Sequence, residues 1–409
     1  MHQYPKDDVR MRGFARRHTV VEALAWLDSV SHRLSTESVS LRNACGRILA
    51  APVVSSVDVP AFDRSAMDGY ALSAADTDGA SAYNPLPLRV VGDSMPGCPF
   101  QGTVSRGEAV RIMTGAPMPR GTDAVLPAEW VEAETTAALA VVSPGKNVGR
   151  RAEDIAAGAE LFRPGRVLRP QDLGVLSSIG CGTVPAVMQP RVRLVVTGNE
   201  LVPAGSQPHD FQIADANGPM LSALIERDGG TVDFPGLVRD DGAAILESLE
   251  AEADVVIVSG GSSVGVEDLS PSLVREHGEL RVHGIAMRPS SPTGLGRFGN
   301  KLVFLLPGNP VSALCAYDFF AGRAIRVLGG RQSEWPYRTF RGPLTRKISS
   351  QIGRLDYARV RIVDGRIEPL AIAGASILSS TTRADGFVIV PDDSEGFAAG
   401  AEVETWLYA

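Results

Sequence analysis

The chain has 409 residues, 44% of them apolar and 21% charged, and its 40 basic and 47 acidic side chains leave a net charge of −7. These are ordinary globular values with an acidic balance, which excludes wholesale nucleic-acid binding, and the length calls for three or four domains of about 100–150 residues each. The strongest apolar run, Leu302-Val303-Phe304-Leu305-Leu306, falls far short of the roughly 20 residues of a membrane helix, so no membrane association is expected. The four cysteines, Cys45, Cys98, Cys181 and Cys315, form no CxxC pair. Scattered thiols fit a reducing cytoplasm and offer neither a disulfide framework nor a zinc site.

In chain order, the basic run over residues 10–17 leads into an apolar stretch that Glu22 and Asp28 interrupt. It is unlike a secretory h-region and is expected to be a frayed terminus. Thr19-Val20-Val21-Glu22 has capping-box spacing, and Val20, Leu24, Leu27 and Val30 follow at helical intervals, which predicts an amphipathic helix. From Val53 to about Val142 the texture changes to short β-rich runs broken by Gly and Pro, among them 88–92, 109–113 and 124–127. A charged stretch with Arg150-Arg151-Ala152-Glu153-Asp154 precedes an expected helix over 172–179.

Strands then alternate with helices, the pattern of a mostly parallel sheet with crossovers on its faces. The expected strands are 192–196, 254–258 and 302–306, and the expected helices 220–227, 243–252 and 311–328. After Gly329-Gly330 the chain turns β-rich again, with runs at 357–363, 387–390 and 403–407. The expected fold class is therefore α/β plus β-rich domains. The expected divisions are a discontinuous helical and linking domain (19–52 and 145–187), a β-rich insertion domain (53–144), a mostly parallel α/β sandwich (188–329) and a small β-barrel-like C-terminal domain (330–409).

Small-residue turns follow the three strands: Thr197-Gly198-Asn199-Glu200, then SGGSSVGVED at 259–268, then Pro307-Gly308-Asn309-Pro310. Ligands in open α/β sheets bind at this carboxyl edge. Glu200, Asp240 and Asp268, with Asp215 nearby in sequence context, are placed to gather round a hard cation or to remain solvated loop acids. Gly260, Gly261 and Gly265 let backbone amides close round an anion. Arg288-Pro289-Ser290-Ser291-Pro292 adds a cation and hydroxyls suited to a phosphate or oxyanion, or forms a plain surface turn. In the β-rich region, residues 60–70 pack Asp63, Arg64, Ser65, Asp68 and Tyr70 into one loop-like segment, either a site or a loop whose carboxylates cap turns. No Walker motif, GxGxxG, GxSxG elbow or HxxxH is present.

PAFDRSAMDGYAL, RIMTGAPMPRGTDAV, RRAEDIAAGAEL, TGNEL, SGGSSVGVED and LPGNPVSAL, in this order over about residues 19–409, together resemble the molybdopterin molybdenumtransferase family, which includes the gephyrin E domain. The resemblance implies an elongated homodimer of four-domain subunits, with each active site between the α/β domain of one subunit and the β-rich second domain of the other. It implies that adenylated molybdopterin and molybdate give molybdenum cofactor and AMP, with Mg2+ as the divalent cation and a molybdopterin adenylyltransferase upstream. The pterin dithiolate supplies the soft ligands molybdenum needs, so no cysteine cluster is required of the protein.

By motif, the resemblance assigns function to Asp68, Thr114, Glu200, Asp240, Asp268 and Arg288, with Glu200 and Asp268 organising the metal. Gly260, Gly261, Ser262, Gly265, Ser290, Ser291, Pro307, Gly308, Asn309, Pro310, Arg354 and Ser376 are the corresponding substrate-binding positions. The chain departs from the family where many members read KPGKP: here the sequence is Arg288-Pro289-Ser290-Ser291-Pro292, and Gly284 stands at another lysine position. Arg binds an oxyanion bidentately where Lys offers a point charge. Three alternatives stay open on these residues: a dimeric scaffold with weakened turnover, a tungstate-using variant, and a nucleotide-cleaving enzyme built on the α/β module alone.

Overall fold

In a computed structural model, residues 17–261, 269–371 and 374–408 are described. The basic run expected to fray lies outside them up to Arg16. The chain divides into two units, one made of the segments through Glu37, Gly46–Ile48 and Ala186 onward, the other of Ser38–Cys45 and Leu49–Pro185.

The centre of the first unit is a sheet whose central strands are apolar on both faces. Its elements in chain order are β1 (Arg191–Thr197), α1 (Asn217–Arg227), β2 (Thr231–Asp233), α2 (Gly242–Glu250), β3 (Val255–Ser259), α3 (Ser270–His277), β4 (Glu279–His283), β5 (Gly294–Phe298), β6 (Lys301–Leu306), α4 (Pro310–Ala316) and α5 (Gly322–Leu328). Strand order is β2-β1-β3-β6-β5-β4. Side chains alternate across the strands. Val192, Leu194, Val196, Val255, Ile257, Leu302, Phe304 and Leu306 face one core, with Leu221 and Ile225 of α1 and Ala324 and Ile325 of α5. Val195, Val256, Val258, Val303 and Leu305 face a second core, with Ile245 and Leu249 of α2 and Val274 of α3. Burial on both faces explains the near-continuous apolar runs.

The helix Val20–Val30 begins with the expected capping box: Glu22 N–H donates to Thr19 Oγ1 at 3.1 Å and Thr19 N–H to Glu22 Oε2 at 2.8 Å. Its Val20, Ala23 and Leu27 join the first of the two cores.

The parallel strands β2, β1, β3 and β6 are joined at one edge by two antiparallel ones, β5 on β6 and β4 on β5. The sheet is thus mixed at that edge, and its hairpin was hidden by glycine. A Cβ on Gly296 would lie 2.2 Å from the Glu279 carbonyl oxygen. Close backbone approach demands glycine where strand propensity asks for bulk.

The C-terminal part of this unit is a six-stranded sheet that includes Met287–Arg288, Leu355–Val363, Arg366–Ala371, Gly386–Val390, Glu402–Leu407 and Arg338–Pro343. Trp335, Tyr357, Phe387 and Trp406 pack ring on ring there, Tyr357 and Phe387 with centroids 4.2 Å apart.

The second unit holds a four-stranded sheet in the order Arg89–Ser94, Glu108–Ile112, Gly69–Leu72, Ala124–Pro127. Its helix Pro170–Ser178 carries in its first turn Asp172, which is buried and accepts from Arg166 Nε and Nη2 at 2.9 and 2.8 Å and from Arg169 N–H at 3.0 Å. The Arg166 side chain, foremost, holds that carboxyl far below the usual carboxylate range.

Candidate active site

Because β1, β3 and β6 run parallel and in register, with Val196 opposite Ser259 and Ser259 opposite Leu306, their carboxyl ends open on one edge. A cleft of about 550 Å³ lies there, lined by Glu200, Asp240, Gly260, Gly261, Pro307, Gly308, Asn309, Pro310 and Ser376 of the expected set. The turn after β3 is open only to glycine. Gly260 has φ +105°, and a Cβ on it would sit 2.1 Å from the Thr197 carbonyl oxygen. Gly261 has φ +56°.

The turns are fastened to each other. Asn217 Nδ2 donates to Ser259 Oγ at 2.9 Å and to the Gly308 carbonyl at 2.7 Å, and Val311 N–H donates to the Ala375 carbonyl at 3.0 Å, which brings Ser376 to the rim. Asp240 accepts the Thr197 hydroxyl at 2.5 Å, leaving the carboxylate oriented at the cleft wall. Glu200 is exposed on the rim. Asp215 also lines the cleft; it is buried and accepts the Gly218 N–H at 2.9 Å at the start of α1, so one of its oxygens is committed to the backbone.

A second cavity of about 590 Å³ adjoins the first and shares Pro292, Pro307 and Asn309 with it. Arg288, Ser290, Ser291 and Arg354 line it, together with Arg17. Ser290 is buried, takes φ +88°, and donates its hydroxyl to the Ser312 carbonyl at 2.6 Å. Arg288 and Arg354 both pair with Asp356.

Asp68 and Thr114, in the other unit, come together as a pair. Asp68 Oδ1 accepts both the Thr114 N–H and the Thr114 hydroxyl, each at 2.7 Å. The backbone N–H first, then the hydroxyl, hold the exposed Asp68 carboxyl below its usual range. Asp63 accepts Arg151 N–H at 2.8 Å and Arg150 Nη1 at 2.9 Å, so this carboxylate of the dense segment is a turn organiser. Ser262, Gly265 and Asp268 lie outside the described residues. Among the described residues, no cluster of three or more His, Cys, Asp or Glu is arranged for a metal.

Three family descriptions match the chain in succession: "MoeA N-terminal region (domain I and II)" over residues 18–180, "Probable molybdopterin binding domain" over 193–326, and "MoeA C-terminal region (domain IV)" over 341–408. The molybdopterin molybdenumtransferase 2 of Mycobacterium tuberculosis is 34% identical over 384 residues, 90% of this chain and 94% of the relative. The chain belongs to the molybdopterin molybdenumtransferase family. A molybdopterin molybdenumtransferase of Haemophilus influenzae is 33% identical over 391 residues, 92% of this chain and 95% of the relative. Among solved structures, a molybdopterin biosynthesis MoeA protein from Pyrococcus horikosii superposes with a TM-score of 0.80 at 34% identity, covering 96% of this chain and 100% of that one.

Within this molybdenumtransferase fold, the acids, glycines and arginines of the two cavities were legible in the sequence, but three residues that hold them were not. Thr197 stands inside the TGNEL motif, whereas Asn217 and Asp356 lie outside all six motifs, and their roles depend on partners 42 to 91 positions away for Thr197 and Asn217 and 68 positions away for Asp356 with Arg288. For Thr197 and Asn217 the available signal was a small polar side chain at the last residue of a buried strand or the first of a helix. No helix among the described residues is long and apolar enough to cross a membrane.

Proposed function

We infer that this chain inserts molybdenum from molybdate into adenylated molybdopterin, releasing AMP and forming molybdenum cofactor. The observation that carries this reading is the pair of adjoining cavities, one walled by carboxylates and glycine turns, the other by arginines and serines, sharing Pro292, Pro307 and Asn309. A substrate with a nucleotide at one end and a metal-accepting dithiolate at the other needs two such neighbouring compartments.

In this reading the adenylate lies along the Gly260-Gly261 and Pro307–Pro310 turns, where the missing side chains let backbone approach the phosphates. Arg288 and Arg354 hold the oxyanion, with Ser290 and Ser291 beside them. Planar guanidiniums suit a tetrahedral oxyanion through paired N–H donors. Asp240, fixed by Thr197, orients the phosphate region. Glu200 and Asp268 would hold Mg2+, since carboxylate oxygens are the donors such a hard cation takes while keeping several waters. Bound there, the ion would offset the charge of the phosphoanhydride. Asp68 with Thr114 would complete the site from the partner subunit of a homodimer.

We also propose the four-domain division at 19–52 with 145–187, 53–144, 188–329 and 330–409, a cytoplasmic location, and supply of the adenylated pterin by a molybdopterin adenylyltransferase. The breaks between the matched family regions, at 180–193 and 326–341, support two of these boundaries.

Glu200→Gln and Asp268→Asn variants test the assignment. Each is expected to bind adenylated molybdopterin yet release AMP on the order of 100-fold more slowly with molybdate, the scale of losing one transition-state electrostatic contact. A folded variant with wild-type turnover would remove its residue from the reaction.

A further inference from the structure

The arginine-lined cavity is organised by a carboxylate that does not line it. Asp356 is fully buried. It lies directly opposite Arg288 in a parallel pairing of Met287–Arg288 with Leu355–Asp356, and the Leu355 N–H donates to the Ala286 carbonyl at 2.9 Å. Three donors converge on it: Arg288 Nη2 and the Ser350 hydroxyl on Oδ2, the hydroxyl at 2.8 Å, and Arg354 Nε on Oδ1 at 3.1 Å. Each guanidinium gives one nitrogen to Asp356. Arg288 Nε is buried with no hydrogen-bond partner among the described residues.

We propose that Asp356 is a positioning residue for oxyanion capture, one carboxylate that fixes two guanidiniums so that their uncommitted N–H groups converge on a tetrahedral dianion. The inference rests on the oxyanion reading of this cavity. Two features favour positioning over simple neutralisation. The carboxylate joins Arg288 of one strand and Arg354 of the bend that leads into the neighbouring strand through different oxygens, which sets their separation as well as their charge. Ser350 occupies a further lone pair of Oδ2, which restrains the carboxylate itself. The formal charge of the three side chains is +1, so a dianion is held without the full attraction of two unopposed cations, which favours its onward transfer.

Asp356→Asn and Ser350→Ala are the test, read by molybdate titration calorimetry on the pterin-free protein and by KM and kcat for AMP release. In Asp356→Asn the molybdate dissociation constant and molybdate KM are expected to rise about 10- to 100-fold, the usual effect of removing a group that orients binding side chains. The KM for adenylated molybdopterin should stay unchanged. Ser350→Ala should shift molybdate in the same direction by less, with its melting temperature unchanged. A folded Asp356→Asn variant with wild-type molybdate affinity overturns the proposal. So does an equal loss for both substrates accompanied by a lowered melting temperature. If Asp356→Asn does not fold, Ser350→Ala decides: a molybdate-specific loss supports positioning, and no change overturns it. Wild-type protein that binds molybdate but releases no AMP would sink the insertion reading while leaving the calorimetric test of Asp356 intact.

Discussion

Ser290 shows how a single residue adapts a site. Its φ of +88° belongs to the left-handed region where a glycine costs nothing, and a side-chain-bearing residue there costs about 1–2 kcal/mol. The hydroxyl offsets part of that strain by donating to the Ser312 carbonyl at 2.6 Å, a bond contributing about 0.5–1.5 kcal/mol. Ser290→Ala, which keeps the strain and loses the bond, should therefore destabilise the protein by roughly 1–3 kcal/mol once the stranded carbonyl is included. Ser290→Gly, which loses both, should be near neutral. Urea unfolding of the two variants checks the difference, and equal effects would mean that the backbone strain carries no weight. The exchange of glycine for serine was visible in Arg288-Pro289-Ser290-Ser291-Pro292, but its backbone consequence was not, because φ is fixed by the surrounding chain and leaves no mark in residue type.

Among the elements, those that bury both faces were the easiest to read. The runs at 192–196, 254–258 and 302–306 became β1, β3 and β6 because no other conformation buries consecutive β-branched and apolar residues so fully. β5 was missed because Gly294 and Gly296 replace the bulk that marks a strand, and β4, whose only partner in the sheet is β5, was missed with it. The helical run expected over 311–328 is divided, with a π-helical turn at Tyr317–Ala321 between α4 and α5. That turn carries Asp318, fully buried and bonded by Arg227 Nη2 at 3.1 Å and the Tyr337 hydroxyl at 3.0 Å, while the Trp335 ring N–H reaches its backbone carbonyl at 2.8 Å.

Burial pushes the Asp318 carboxyl up to about 6 against the opposing pull of Arg227. With the folded value raised above the ordinary 3.8, the native state binds the proton more tightly than the unfolded chain. The group's stabilising contribution is complete below about pH 4 and is lost as the pH rises through about 6. Relative to Asp318→Asn, the wild type should lose on the order of 2–3 kcal/mol between pH 4 and 7, as its pKa displacement implies. Parallel denaturation curves for the two proteins across that range would contradict the assignment. Asp172 acts in the opposite sense, since its depressed carboxyl contributes above the ordinary carboxylate range and that contribution is lost on acidification.

At the scale of the whole molecule, Asp68 and the cleft acids lie in different units of the chain, and the dimer reading makes them meet across two subunits. Mixing inactive Asp68→Ala with inactive Asp240→Ala protein should then restore about a quarter of wild-type activity, because half of randomly formed dimers would be mixed and each would hold one intact site. No recovery after confirmed subunit exchange would return both residues to a single chain. The family was legible in the order of six motifs, whereas the holding contacts of Thr197, Asn217 and Asp356 were not, since each joins residues distant in sequence through one side chain.

Molybdenum insertion couples oxyanion uptake to nucleotide release. Purified protein loaded with adenylated molybdopterin should release AMP when molybdate is added, with metal appearing on the pterin in equal amount. Retention of the adenylated pterin with no molybdate-dependent AMP would contradict the claim and mark the chain as a binding scaffold.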